Sequence, residues 1–239
     1  MFLEVLAIIF VATFIRSAFG FGEALVAVPL LALIIPIEVA APVAVLISIT
    51  VSVVSVAQDW RHIHMRSAGW LFVSTLLGIP LGLWLLSSAP AGTIKIVLAI
   101  VIIAFSTYLL LNRHSIALKS DKFAPIFGFL AGVLGGAYGM NGPPLVAYGT
   151  LRHWSPQHFR ATLQGYFLPA STVVMAGYWM AGLWTSEVTH YYHLSLPVVV
   201  VSIFAGRVAN RYFNEHTFLV CVHCGLIMVG AALLWQAYA

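Results

Sequence analysis

Six apolar stretches, each close to the thickness of a lipid bilayer, constrain this chain more than any other feature. They run from about Val39 to Ala57, Trp70 to Leu86, Thr93 to Leu111, Arg160 to Ala181, His193 to Val208 and Phe218 to Trp235. A hydrocarbon core of about 30 Å takes about 20 apolar residues per helical span. Composition agrees: 62% of the 239 residues are hydrophobic and 8% are charged, against roughly 45 to 50% apolar in soluble domains. That leaves too little polar surface to cover a water-soluble globule. The expected fold class is an all-α polytopic membrane protein, with room for six to eight segments.

The formal charge of +4 comes from eleven Lys and Arg that cluster in short loops, which reads as a topology signal and not as a nucleic-acid stripe. Met1 to Phe14 carries Glu4 and no basic opening, so a cleaved secretory peptide is not expected. Cys221 and Cys224 lie in an apolar segment and read as small buried hydrophobes, because a metal site would need a second pair of ligands. No metal or cofactor is expected.

Self-similarity decides the architecture. Phe19 to Thr50 lies over Tyr138 to Pro169 at a constant offset of 119. Phe19-Gly20-Phe21-Gly22 falls on Tyr138-Gly139-Met140-Asn141, and Pro36-Ile37-Glu38 on Ser155-Pro156-Gln157. Three of the apolar stretches follow each proline. Before it lies a run too long for one span and interrupted by glycines, Phe2 to Pro36 and Phe123 to Trp154. Glycine permits the backbone angles that end a helix, so each run is expected to split into two pieces of half-membrane length. The chain then divides into a first repeat (1–112), a cytoplasmic linker (113–122) and a second repeat (123–239), forming one integral membrane domain.

Short cytoplasmic loops collect Lys and Arg. The loop Arg61, His62, His64, Arg66 and, two spans later, the linker Arg113, Lys119, Lys122 fall on that side, as do Arg152 and Arg160 at the end of the second broken run and, another two spans on, Arg207 and Arg211. For the linker and Arg152 to share a side, the second broken run must be a re-entrant hairpin, and by repeat so must the first. Three spans plus a hairpin is an odd number of crossings, which predicts six spans, both termini outside and inverted repeats of the transporter kind. Full crossing by the broken runs gives eight spans and parallel repeats instead. Trp60, Trp70, Trp154 and Trp184 fall at segment ends, as interfacial belts require, while Gly78-x3-Gly82 and Gly128-x3-Gly132 fit close helix packing.

Where a half-helix begins, its backbone N–H groups have no intrahelical partner and carry the positive end of the helix dipole, so an oxyanion fits there. The first turn exposes Gly20, Gly22 and Glu23, and the second exposes Gly139, Asn141 and Gly142. Asn141 is the leading ligand candidate, the alternative being that it only caps its helix. Arg16 and Glu23 at membrane depth cost roughly 2.5 to 3.5 kcal/mol each on insertion scales. They either pair structurally, or Arg16 attracts the anion while Glu23 takes up a coupling proton. On the span after the second hairpin, Arg160, Gln164, Phe167 and Ser171 share a helical stripe. Gln164 faces the site on this reading, and Arg160 either snorkels or guides anions. The aligned Ala41 and Val45 are apolar, so the second half is expected to supply most polar contacts. The expected partners are a small anionic substrate, membrane lipid and a coupling proton or cation, with a second copy of the chain as a candidate.

At the glycine turns the sequence resembles the sulfite exporter TauE/SafE family of bacterial membrane transporters. The first-copy likeness is Phe19-Gly20-Phe21-Gly22, Val28-Pro29-Leu30-Leu31 and Ala40-Ala41-Pro42. The second is Gly135-Gly136-Ala137-Tyr138-Gly139-Met140-Asn141-Gly142-Pro143-Pro144, Trp154-Ser155-Pro156, Phe159-Arg160-Ala161-Thr162 and Gln164-Gly165-Tyr166-Phe167. One departure is Glu23 and Ala24, where the family often has further glycines. The resemblance implies a multi-pass protein of the bacterial inner membrane that exports sulfite or a small sulfur-containing organic anion, driven by an ion gradient. A membrane-embedded enzyme is the main rival. The chain has no Gly-x-Ser-x-Gly, no His-Glu-x-x-His and no paired aspartates in a span. A purely structural subunit leaves the two matched glycine breaks unexplained.

Overall fold

Apolar stretches of this length have one way to pair their backbone amides in lipid, which is to close them internally as helices. The computed structural model describes residues 2–59, 65–111, 118, 120–154, 156–209 and 215–238, and it has no strand among them. Inside the helices, the side chains of residues 58, 59, 65–68, 156–158, 160, 161, 164, 215–219, 221 and 238 are also outside the description. The helices are α1 (Phe2–Phe19), α2 (Glu23–Leu31), α3 (Ile37–Asp59), α4 (Met65–Ser88), α5 (Ala91–Leu111), α6 (Ala124–Tyr138), α7 (Gly142–Leu151), α8 (Pro156–Met180), α9 (Ser186–Ala209) and α10 (Glu215–Tyr238). Trp60, Arg61, His62, His64, Arg113, Lys119 and Arg211, used above to orient the chain, lie outside the described residues.

Among the described residues, five helices are long and apolar enough to cross a membrane: α1, the Ile37–Ala57 part of α3, the Gly69–Ser88 part of α4, α5 and α9. Of the six stretches expected to span, α8 has the length, at 25 residues, but is more polar. The apolar part of α10 within the described residues, Val222–Ala237, is shorter. The piece α1 departs from the expected half-membrane length. Its 18 residues reach about 27 Å at 1.5 Å per residue, because no glycine interrupts it before Gly20.

Polarity is inverted relative to a water-soluble protein. Leu77, Trp84, Phe204 and Met228 are exposed, while Arg16, Glu23, Asn141, Ser48 and Ser52 are buried. In lipid the apolar face costs nothing to expose and the polar groups turn inward. Cys224 follows the same rule and corrects the expectation of a buried thiol, for it is free and exposed on the apolar surface.

Both glycine breaks are present. Gly20 (φ 87°), Gly22 (φ 98°) and Gly139 (φ 67°) adopt left-handed backbone that side-chain-bearing residues resist. Helix pairings recur when each helix is exchanged for the one five later: α4 packs on α6 as α9 does on α1, and α3 on α9 as α8 does on α4, while α3 meets α8 and α5 meets α10. The α4–α6 contact is backbone against backbone. A Cβ placed on Gly132 would lie 2.9 Å from Gly78 Cα, so these small residues let the helices touch.

Each broken run also ends beside elements that fix its position. Leu118, before α6, donates its amide to Leu151 O at the end of α7 (2.8 Å). Arg152 donates to Leu118 O (2.8 Å) and pairs with Asp121 (3.1 Å). Tyr148 donates to the same Asp121 carboxylate (2.8 Å). The α6–α7 run therefore returns to where it began. Phe2, opening α1, lies edge-on to His190 near the start of α9. Past the end of α2, Leu33 O accepts from Gln236 (3.2 Å), which itself accepts from Lys95 in the first turns of α5 (2.9 Å).

Candidate functional site

Where the two breaks meet, Arg16, Phe21, Gly22, Glu23, Ala24 and Leu25 of the first face Gly139, Asn141, Gly142, Pro143 and Val146 of the second across one cavity. Ser48 (α3), Phe105 (α5), Phe167 and Ser171 (α8) complete its wall. The cavity offers about 30 Å³ to the centres of water-sized molecules, where one water needs roughly 10 to 15 Å³. That is room for about two or three waters or a small ion.

Arg16 and Glu23 are 3% and 2% exposed, and Arg16 Nη1 donates to Glu23 Oε2 at 2.5 Å. The same nitrogen donates to Ser48 Oγ (2.6 Å), and Nη2 donates to Ser52 Oγ (2.5 Å). The guanidinium carbon lies 5.2 Å from the centroid of the Phe167 ring, a cation–π distance. Thr13 donates weakly to the other Glu23 oxygen, at 3.5 Å. The pair expected from sequence exists, and three hydroxyl side chains and an aromatic face accompany it.

The helix ends contribute unequally. Glu23, Ala24 and Leu25 open α2 and have N–H groups without intrahelical partners, and all three line the cavity. In α7, Pro143 and Pro144 follow Gly142 directly and have no N–H to offer. Asn141 stands in the gap. It is 4% exposed, makes no side-chain capping bond, and its Nδ2 has no hydrogen-bond partner among the described residues. The simple capping alternative therefore fails, leaving a buried donor at the cavity wall. Its amide sits over Gly135, where a Cβ would come within 2.9 Å of Asn141 Cγ.

Of the residues singled out in the sequence, Arg16, Gly22, Glu23, Gly139, Asn141 and Gly142 converge on the cavity. Gly20 shapes the turn without lining it. Arg160 and Gln164 lie on α8 ahead of Phe167 and Ser171, and their side chains are outside the described residues. The expectation that the second half supplies most polar contacts rested on Arg160 and Gln164, whose side chains lie outside the described residues. Among the described residues the charges, Arg16 and Glu23, come from the first half together with Ser48. Sequence reasoning missed Thr13, Ser48, Ser52, Phe105 and Gly135. Ser48 and Ser52, four residues apart on the largely apolar α3, were the available signal.

Comparison with known proteins agrees with this geometry. The chain is 25% identical, over 97% of its own length and 93% of the relative's, to a protein of Cupriavidus necator named "Probable sulfite/organosulfonate exporter TauE". No solved structure matches it. The profile described as Sulfite exporter TauE/SafE matches residues 5–233, nearly the whole chain, so this multi-pass membrane protein belongs to the sulfite exporter TauE/SafE family, whose members are transporters and not enzymes.

Proposed function

We propose that the chain exports sulfite, or a small organic sulfonate of the sulfoacetate type, across the bacterial inner membrane by alternating access, with Glu23 carrying a proton. The observation that carries this reading is the donor-rich cavity: a buried guanidinium, the unpartnered Asn141 amide and two helix N-termini around one small space. A buried cation and amide donors converging on one desolvated space favour an oxyanion. The relative's name points to the same substrates.

Glu23 serves as an internal anion for Arg16. An arriving oxyanion competes for the same guanidinium, and a carboxylate deprived of its cation at this depth is relieved by a proton. Anion binding and proton uptake are thereby linked. If the loaded site keeps net negative charge, a membrane potential negative inside drives it outward, by about 2.3 kcal/mol per charge per 100 mV.

Inverted halves suit alternating access, and the ends of the hairpins support that arrangement. The α1–α2 run finishes beside the start of α5, and the α6–α7 run opens and closes beside the linker that follows the end of α5. The 21 residues of α5 span about 31 Å, a length that supports openings on opposite faces.

The test is flux in proteoliposomes. Labelled sulfite and sulfoacetate should move at saturable rates, and Glu23→Gln should remove the response to an imposed pH gradient. Flux no greater than in protein-free liposomes would overturn the proposal. Leu33→Cys and Ser120→Cys, each in a Cys221→Ser, Cys224→Ser background, should label from opposite faces. Labelling from one face would exclude inversion.

A further inference from the structure

We infer that Ser48 is a specificity-determining residue of this site, donating its hydroxyl hydrogen to an oxygen of the bound anion. The inference rests on reading the cavity as the anion site. Arg16 divides its terminal nitrogens between two serines one turn apart on α3: Nη1 donates to Ser48 Oγ and Nη2 to Ser52 Oγ. A hydroxyl has one hydrogen and two lone pairs, so accepting from the guanidinium leaves each serine its own hydrogen.

Helical serines and threonines commonly discharge that hydrogen onto the carbonyl four residues back. Thr50, Ser195 and Ser202 do so here, at 3.0, 2.7 and 2.7 Å. Ser48 makes no such bond among the described residues. What separates it from Ser52 is position, since Ser48 lines the cavity and Ser52 is fully enclosed away from it. The Ser48 hydrogen therefore has the cavity as its outlet. Donation from a cation polarises the hydroxyl and strengthens its own donation, so the positive charge of Arg16 reaches the substrate through a short directional bond. An oxyanion with several oxygens around one sulfur can meet Ser48, the Asn141 amide and the free N–H groups of α2 at once.

The two serines give the experiment its internal control, because both brace the same guanidinium and only one faces the anion. Sulfite binding to the purified protein is measured by isothermal titration at constant ionic strength and pH. Ser48→Ala should weaken binding roughly 10- to 150-fold, the loss of one hydrogen bond to a charged partner. Ser52→Ala should change it less than about 3-fold, while Ser48→Thr, which retains the hydroxyl, should stay near the parent. Should Ser48→Ala fail to fold, Ser48→Cys keeps the side-chain size with a poor donor and should show the weakening. Equal losses in Ser48→Ala and Ser52→Ala would reduce Ser48 to a brace for Arg16 and overturn the inference, as would unchanged affinity in Ser48→Ala or Ser48→Cys. A parent protein that binds neither sulfite nor sulfoacetate would instead overturn the anion-site reading itself.

Discussion

Removing the buried cation separates the stability of this fold from its transport. Arg16→Met deletes the guanidinium and leaves the Glu23 carboxylate, 2% exposed, with one long hydrogen bond from Thr13 at 3.5 Å among the described residues. Breaking one side of a buried pair costs roughly 3 to 5 kcal/mol, because the remaining charge is uncompensated. Glu23→Gln is milder. Arg16 keeps Ser48, Ser52 and the Phe167 face, and glutamine still offers an acceptor, so about 1.5 to 3 kcal/mol is expected, the value of one hydrogen bond to a charge. The double variant Arg16→Met, Glu23→Gln removes both charges of the pair and should regain most of the loss, since neutral replacements of buried pairs are often tolerated. Unfolding free energies in mixed detergent micelles measure the cycle, and labelled-sulfite flux is read in parallel. Flux should stay absent in the double variant although stability returns. Losses that simply add would refute the account of Arg16 and Glu23 as one coupled unit, and restored flux would remove Arg16 from the transport site.

Other perturbations probe separate parts of the same construction. Asn141→Ala removes a donor with no partner among the described residues, so stability should stay within about 0.5 kcal/mol while sulfite affinity falls roughly 10-fold or more; calorimetry with thermal unfolding checks both. Asn141→Asp should abolish sulfite binding, as it exchanges a donor for a negative charge against the substrate. Gly135→Ala places a methyl group into the Asn141 amide and should reduce sulfite flux with little change in expression, through displacement of that side chain. Gly132→Leu drives α4 and α6 apart where their backbones touch and should prevent recovery of folded protein, read as loss of the monodisperse peak in detergent.

What the sequence revealed and what it concealed have physical reasons. Gly20, Gly22 and Gly139 were legible because left-handed backbone at a helix break selects glycine. Asn141 was legible because it follows such a break and precedes two prolines. The serines were not, since a hydroxyl in an apolar helix ordinarily bonds its own backbone, and nothing local tells that Ser48 reaches Arg16 32 residues away. Aligning Arg160 and Gln164 with Ala41 and Val45 made the first half look inert, whereas its polar groups on α3 lie further along, at Ser48 and Ser52. Hydropathy also could not tell a lipid-facing apolar position from a core one, which is why Cys224 was placed inside.

The same asymmetry gives the halves different work. Two breaks related by repetition could have offered two equal sets of amide donors, yet Pro143 and Pro144 remove two from α7. The Asn141 side chain restores one donor there without adding charge. The first half keeps the three opening amides of α2 and adds a cation with its own carboxylate. On this reading Arg16 and Glu23 form the part whose charge changes as substrate comes and goes, and the α7 end supplies a neutral, fixed donor. A site with a switch on both sides would carry a second buried pair, with a further desolvation cost of several kcal/mol per ion. On the same reading one switch opposite one fixed donor needs a single buried pair, which would place coupling in the first repeat.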